Sequence, residues 1–123
     1  MTDLQYKIQW QFQARTFTVS KDVEHPEQNQ DAWRLGGGDS IAAIADGVTS
    51  ALFSRLWASI LTEAVVAEEP DPGDRKGFAD WLAARRQRWT EGIDTSNLAW
   101  FQRPKLRDGA FSTLLWVRVT PDE

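Results

Sequence analysis

The sequence predicts an α+β fold, in which antiparallel strands form a sheet and helices are laid on its outside. Three observations carry that expectation. Residues 6–14, "YKIQWQFQA", alternate apolar and polar side chains. Residues 31–45, "DAWRLGGGDSIAAIA", read as a strand, a glycine-rich turn and a second strand. From residue 50 onward the apolar positions fall into the i, i+3, i+4 pattern of a helix.

Each element has its own warrant. In residues 6–14, Tyr6, Ile8, Trp10, Phe12 and Ala14 share one face, and Lys7, Gln9, Gln11 and Gln13 the other. That is the pattern of a half-buried strand with a wet side. The phase then shifts to Phe17 and Val19, which predicts a bulge or bend. Residues 20–30, "SKDVEHPEQNQ", are polar and contain Pro26, so a loop is expected. The glycines of "GGGDS" (36–40) supply the positive φ of a hairpin turn. Neither a helix nor a lysine follows them, so they do not form a phosphate-binding loop. The strand "IAAIA" (41–45) is apolar on both faces and is expected to be central and covered.

The first helix begins at Ser50, with Thr49 or Ser50 as its cap. Phe53, Leu56, Trp57, Ile60, Leu61 and Ala64 form its apolar face. "EEPDPGD" (68–74) ends it. A second helix over 75–91 carries Phe78, Trp81, Leu82, Arg85 and Trp89 on one side. Residues 101–109 are expected to be a linker. Residues 110–119, "AFSTLLWVRV", form a last strand, whose own partner is expected to follow it.

Composition narrows the function. A chain of 123 residues suits one domain or part of one. Its 41% hydrophobic and 26% charged residues are those of an ordinary globular chain, and seven Trp and six Phe supply large apolar area. With 14 basic and 18 acidic residues the net charge is -4, which provides no basic footprint for nucleic acid. The chain has no cysteine, which excludes disulfides and thiolate metal sites and fits a cytoplasmic setting. No signal peptide is expected. No apolar stretch approaches the roughly 20 residues of a membrane span. The single histidine, His25, rules out a multi-histidine metal site. The basic cluster "ARRQRW" (84–89) reads as a solvated helix face.

Two carboxylates stand out. Asp46 ends the central strand and Gly47 follows it, so the Asp46 side chain and the Gly47 carbonyl are candidates to hold magnesium or manganese, which prefer oxygen ligands. Asp46 is equally suited to an Asx turn or a helix cap. Asp31 begins the partner strand, and counting outward from the turn brings it to the same end of the sheet as Asp46. Together they can share a divalent cation; separately, each is a solvated strand end.

"NQDAW" (29–33), "IAAIADGV" (41–48), a long amphipathic helix and "GAFSTLLWVRV" (109–119) occur in that order. This set resembles the N-terminal half of a PPM-type, or type 2C, metal-dependent protein serine/threonine phosphatase of the divergent bacterial branch. The aromatic-rich "AWFQRPKLRDGAFST" (99–113) fits the same branch. The resemblance implies an antiparallel β-sandwich flanked by helices, with a two-metal Mn²⁺ or Mg²⁺ centre at one end. It implies that Asp46 bridges the metals, that the Gly47 carbonyl binds one of them, and that Asp31 organises the metal waters. Gln30 stands where Glu is frequent. The implied reaction is hydrolysis of phosphoserine or phosphothreonine by a metal-activated water attacking in line. The implied partners are a phosphoprotein substrate and a cognate Ser/Thr kinase, in a signalling role.

Two departures follow. Many members carry an arginine shortly before the Asn-x-Asp motif; between Arg15 and Arg34 this chain has none, and Lys21 and His25 are the candidates to replace it. The family draws further aspartates from its C-terminal half, in a Gly-Asp and an Asp-Asn motif, and the chain ends before either. Gly38-Asp39-Ser40 imitates the first but precedes Asp46. Residues 1–123 are therefore expected to be the N-terminal part of a single domain, incomplete at the C-terminus and inactive alone. The alternatives are a non-catalytic, pseudophosphatase-like binding module and one half of a split phosphatase.

Overall fold

The computed structural model describes residues 11–20, 24, 29–48 and 51–120. Its elements are β1 (Asp31–Gly36), β2 (Ile41–Gly47), α1 (Ser54–Glu68), α2 (Arg75–Gly92), α3 (Arg103–Asp108) and β3 (Ser112–Arg118). The three strands form one antiparallel sheet in the order β1-β2-β3. The α+β reading holds at this level, with β2 in the middle as its sequence predicts.

Gly37, Gly38 and Asp39 all have positive φ (57°, 64° and 65°). The turn is closed by Ser40, whose N–H donates to the Gly37 carbonyl at 3.2 Å. It fixes a register in which Asp31 lies opposite Asp46 and Trp33 opposite Ile44.

The register divides the side chains by face, because opposite residues of an antiparallel pair point the same way. Ile41, Ala43, Ala45 and Gly47 of β2 are buried under α1, which packs on all three strands. The small Ala43 and Ala45 let the helix approach closely. Buried Ala58, Leu61, Thr62 and Val65 on α1 belong to this core, and the Thr62 hydroxyl is satisfied by the Ala58 carbonyl at 3.0 Å. The opposite face is uncovered: Trp33, Ile44, Leu115 and Val117 are 44%, 54%, 64% and 54% exposed. The expectation that β2 is covered on both sides therefore fails on that face, where no described element packs.

Other expectations also need correcting. α1 starts at Ser54, later than expected, because Phe53 takes a left-handed conformation (φ 58°) that cannot continue a helix toward its N-terminus. Thr49 and Ser50 lie outside the described residues. Of the apolar face expected for this helix, Ile60, Leu61 and Ala64 are buried and Phe53, Leu56 and Trp57 are partly buried, while Ala58, Thr62 and Val65 widen the buried stripe. On α2 the five named residues, Phe78 to Trp89, are the partly buried ones. Asp74 caps α2 by accepting from the Gly77 N–H at 3.1 Å. Residues 103–108 form a short helix where a linker is expected, with Pro104 in its first turn.

Of the strand expected over 6–14, Tyr6, Ile8 and Trp10 lie outside the described residues. Residues 11–20 carry no regular structure, although half-buried Phe12, Ala14 and Thr16 still alternate with exposed Gln11, Gln13 and Arg15. Side-chain contacts hold this segment: Ala14 N–H donates to the Asp39 carboxylate at 3.2 Å, and Asn29 Nδ2 to Thr18 Oγ1 at 2.9 Å. Phe17 and Val19 are solvent-exposed and lie in a segment with no strand, so there is no ladder for a bulge to interrupt.

Candidate functional site

The Asn29-Gln30-Asp31 triplet enters β1, and each of its residues makes a distinct contact. Asn29 Oδ1 accepts the Asp31 N–H at 3.0 Å, which fixes the turn into the strand. The Gln30 carbonyl accepts the Gly47 N–H at 3.2 Å, tying the start of β1 to the end of β2. The Gln30 side chain accepts the Arg55 N–H at 2.8 Å. Asp31 then faces Asp46 across the ladder.

Across β2 the row continues. Thr113 of β3 lies opposite Asp46, and its Oγ1 accepts the Asp46 N–H at 3.3 Å. Asp31, Asp46 and Thr113 thus make one line of oxygen-bearing side chains on the open face. No local pattern marks Thr113; only the β2–β3 register brings it beside Asp46.

Gly47 is required by packing. A Cβ there would meet the backbone oxygens of Gln30 and Ser54, both at 2.9 Å. That close approach brings the first turn of α1 up against the end of β2. It accounts for the glycine without any ligand.

The open face around the two aspartates forms a cavity of about 600 Å³. Its walls include Asp31, Asp46 and Thr113, with Phe17, Trp33 and Leu115 on the apolar side. Arg15 also lines it. Arg15 lies 14 residues before Asn29, and it reaches the cavity because contacts of Ala14 with Asp39 and of Thr18 with Asn29 hold the segment beside β1. Lys21 and His25 lie outside the described residues. A second concavity of about 480 Å³ lies on the helix side, lined by Trp57, Trp89 and Phe111 among others, with Asp108 as the one carboxylate among the described residues that line it. The paired acids single out the first cavity.

The basic cluster of α2 is not a plain solvated face. Arg85 lies 5.5 Å from the centre of the Trp81 ring and pairs with Glu68 at 2.7 Å, while Trp81 Nε1 donates to the same carboxylate at 2.6 Å. The Arg85 hydrogen bond holds the Glu68 carboxyl below its ordinary range.

A family model for protein phosphatase 2C matches residues 22–123. The chain belongs to that family. No curated protein and no solved structure matches it. Family membership supports a phosphatase-type function in general. In this phosphatase 2C chain, Asp31, Asp46 and Gly47 come together at one end of the sheet as the motif order suggests. The two carboxylates and the Thr113 hydroxyl are the oxygen-bearing side chains that line the cavity at this end of the open face. Among the described residues no group of three His, Cys, Asp or Glu side chains could hold a metal ion. No helix among them is long and apolar enough to cross a membrane.

Proposed function

We propose that this chain carries part of the site of a Mn²⁺- or Mg²⁺-dependent phosphoserine/phosphothreonine protein phosphatase, with Asp31, Asp46 and the Gly47 carbonyl holding the cation. The observation that carries the reading is the pairing of Asp31 with Asp46 on the open face of the sheet. Like charges directly opposite one another in a sheet repel, and a bound cation relieves that cost. When bound, the metal supplies positive charge and water activation. Thr113 restrains the Asp46 backbone. Arg15 offers the cavity a guanidinium suited to phosphoryl oxygens. Trp33 and Phe17 form apolar walls on which the substrate chain can rest.

The same reading makes residues 1–123 part of a single domain and assigns the open face, with Trp33, Ile44 and Leu115, to the second sheet of a β-sandwich. Phosphoproteins are the substrate class and a Ser/Thr kinase the natural counterpart, in the cytoplasm. The two described acids fall short of a two-metal ligand set, which favours further ligands from outside the described residues and motivates a second reading, a non-catalytic binding module.

The test is hydrolysis of a phosphothreonine peptide by the full native protein with and without Mn²⁺. Manganese-stimulated turnover that is lost in Asp46→Ala supports the phosphatase. Metal-independent binding of the phosphopeptide without turnover, unchanged in Asp46→Ala, supports the binding module.

A further inference from the structure

We propose that Gln30 is the positioning residue of the acidic pair, acting through the first turn of α1; the inference rests on the metal-holding reading above. Three elements meet at this residue. Its carbonyl holds the Gly47 N–H at 3.2 Å. Its side-chain oxygen takes the Arg55 N–H at 2.8 Å. Its own peptide leads directly into Asp31.

The need for such a group comes from the helix. The first N–H groups of a helix lack intrahelical partners, and the usual remedy is a polar side chain at the cap position. Here that position is Phe53, which makes no side-chain cap bond. Gln30, 25 residues before Arg55, supplies the acceptor for the Arg55 N–H. The α1 start is also held from the far side, where Trp89 Nε1 donates to the Phe53 carbonyl at 3.1 Å. The helix end therefore has a defined position, and Gln30 transmits it to the strand entry.

The consequence falls on two groups at once. A Cβ on Gly47 would be 2.9 Å from both the Gln30 and the Ser54 oxygens, so the end of β2 sits in a slot between the strand entry and the helix start. Loss of the Gln30 cap bond loosens one wall of that slot. Asp31, one residue after Gln30, and Asp46, one before Gly47, then lose their fixed spacing. A cation shared by two carboxylates depends on that spacing, and partners that orient ligands typically change metal affinity by about 10–100-fold.

The experiment is Mn²⁺ binding to the full native protein, read as free Mn²⁺ by electron paramagnetic resonance, alongside thermal melting. Gln30→Met keeps the length but loses the acceptor, and Gln30→Ala removes both. Each is expected to weaken Mn²⁺ binding by about tenfold. Gln30→Glu keeps an acceptor, which a helix N-terminus favours when negative, and is expected to bind at least as tightly as the parent. Asp74→Ala, which uncaps α2 away from the site, is the stability control and is expected to leave the affinity unchanged. The inference is overturned if the Met and Ala variants bind like the parent, if the Glu variant is no better than they are, or if Asp74→Ala weakens binding equally. If the parent protein binds no Mn²⁺, the metal reading itself falls and takes this inference with it. If the parent binds and only the Gln30 variants fail to differ, the metal reading stands without it.

Discussion

Asp46 and Gly47 are neighbours under opposite constraints. Asp46 projects to the exposed face, directly opposite Asp31, where like charges across a strand pair repel. Replacing Asp46 by Asn removes the repulsion, so the metal-free protein is expected to gain up to about 1 kcal/mol. The same change should abolish any rise of Tm on adding Mn²⁺, because a ligand stabilises only the state that binds it. Paired melts with and without the metal check both halves. Gly47 faces the covered side. Gly47→Ala forces a methyl group to within 2.9 Å of two backbone oxygens, and is expected to cost about 1–3 kcal/mol. Urea denaturation would show it as a lower midpoint.

At the scale of elements, the contact between α1 and α2 is partly ionic. Glu68, near the end of α1, accepts from Arg85 and Trp81 of α2. Its carboxyl is held below the ordinary 4.5, first by the Arg85 hydrogen bond, against a smaller opposing push from burial. The unfolded chain therefore takes up this proton more readily than the folded one. The contribution is complete above about pH 4.5 and is lost as pH falls through the lower folded value. The Glu68 side chain is 46% exposed, so solvent screening limits the effect to under about 1 kcal/mol. Glu68→Gln is expected to flatten the acid limb of a stability–pH profile while leaving the neutral plateau slightly lower; denaturation midpoints from pH 3 to 7 test it.

The elements also separate what was legible from what was not. The hairpin is readable because its turn is local: three consecutive positive-φ positions coincide with Gly37, Gly38 and the tolerant Asp39. Counting from that turn is enough to bring Asp31 and Asp46 together. The face of α2 is readable from its period. The start of α1 is not, because its acceptor comes from Gln30 in another part of the chain, and no local pattern points there. Arg15 is hidden for a related reason. It joins the cavity because Asp39 and Asn29 hold the segment around it, and those bonds are tertiary.

On the scale of the whole molecule, the sheet has one packed face and one open face. Trp33, Ile44, Leu115 and Val117 form an exposed apolar surface of a kind that marks an interaction site or promotes association. Ile44→Thr with Leu115→Thr is expected to shift sedimentation of the 123-residue chain toward monomer. It should leave the melting temperature nearly unchanged, since both side chains are more than half exposed. A large drop in melting temperature would mean that this face is already packed in solution. Among the described residues, helices cover one side of the sheet, so that side can supply the core while the acidic pair stays accessible on the other.

The turn over residues 37–40 has a genetic consequence. It lies at the far end of a six-residue strand from the aspartates, about 20 Å away. Substitutions there that accept positive φ leave the acids untouched. A codon gained or lost there is a different lesion: a one-residue slip of β1 against β2 sends Asp31 and Asp46 to opposite sides of the sheet. A screen for variants that have lost the site should therefore return in-frame insertions and deletions in this turn alongside replacements of the aspartates themselves.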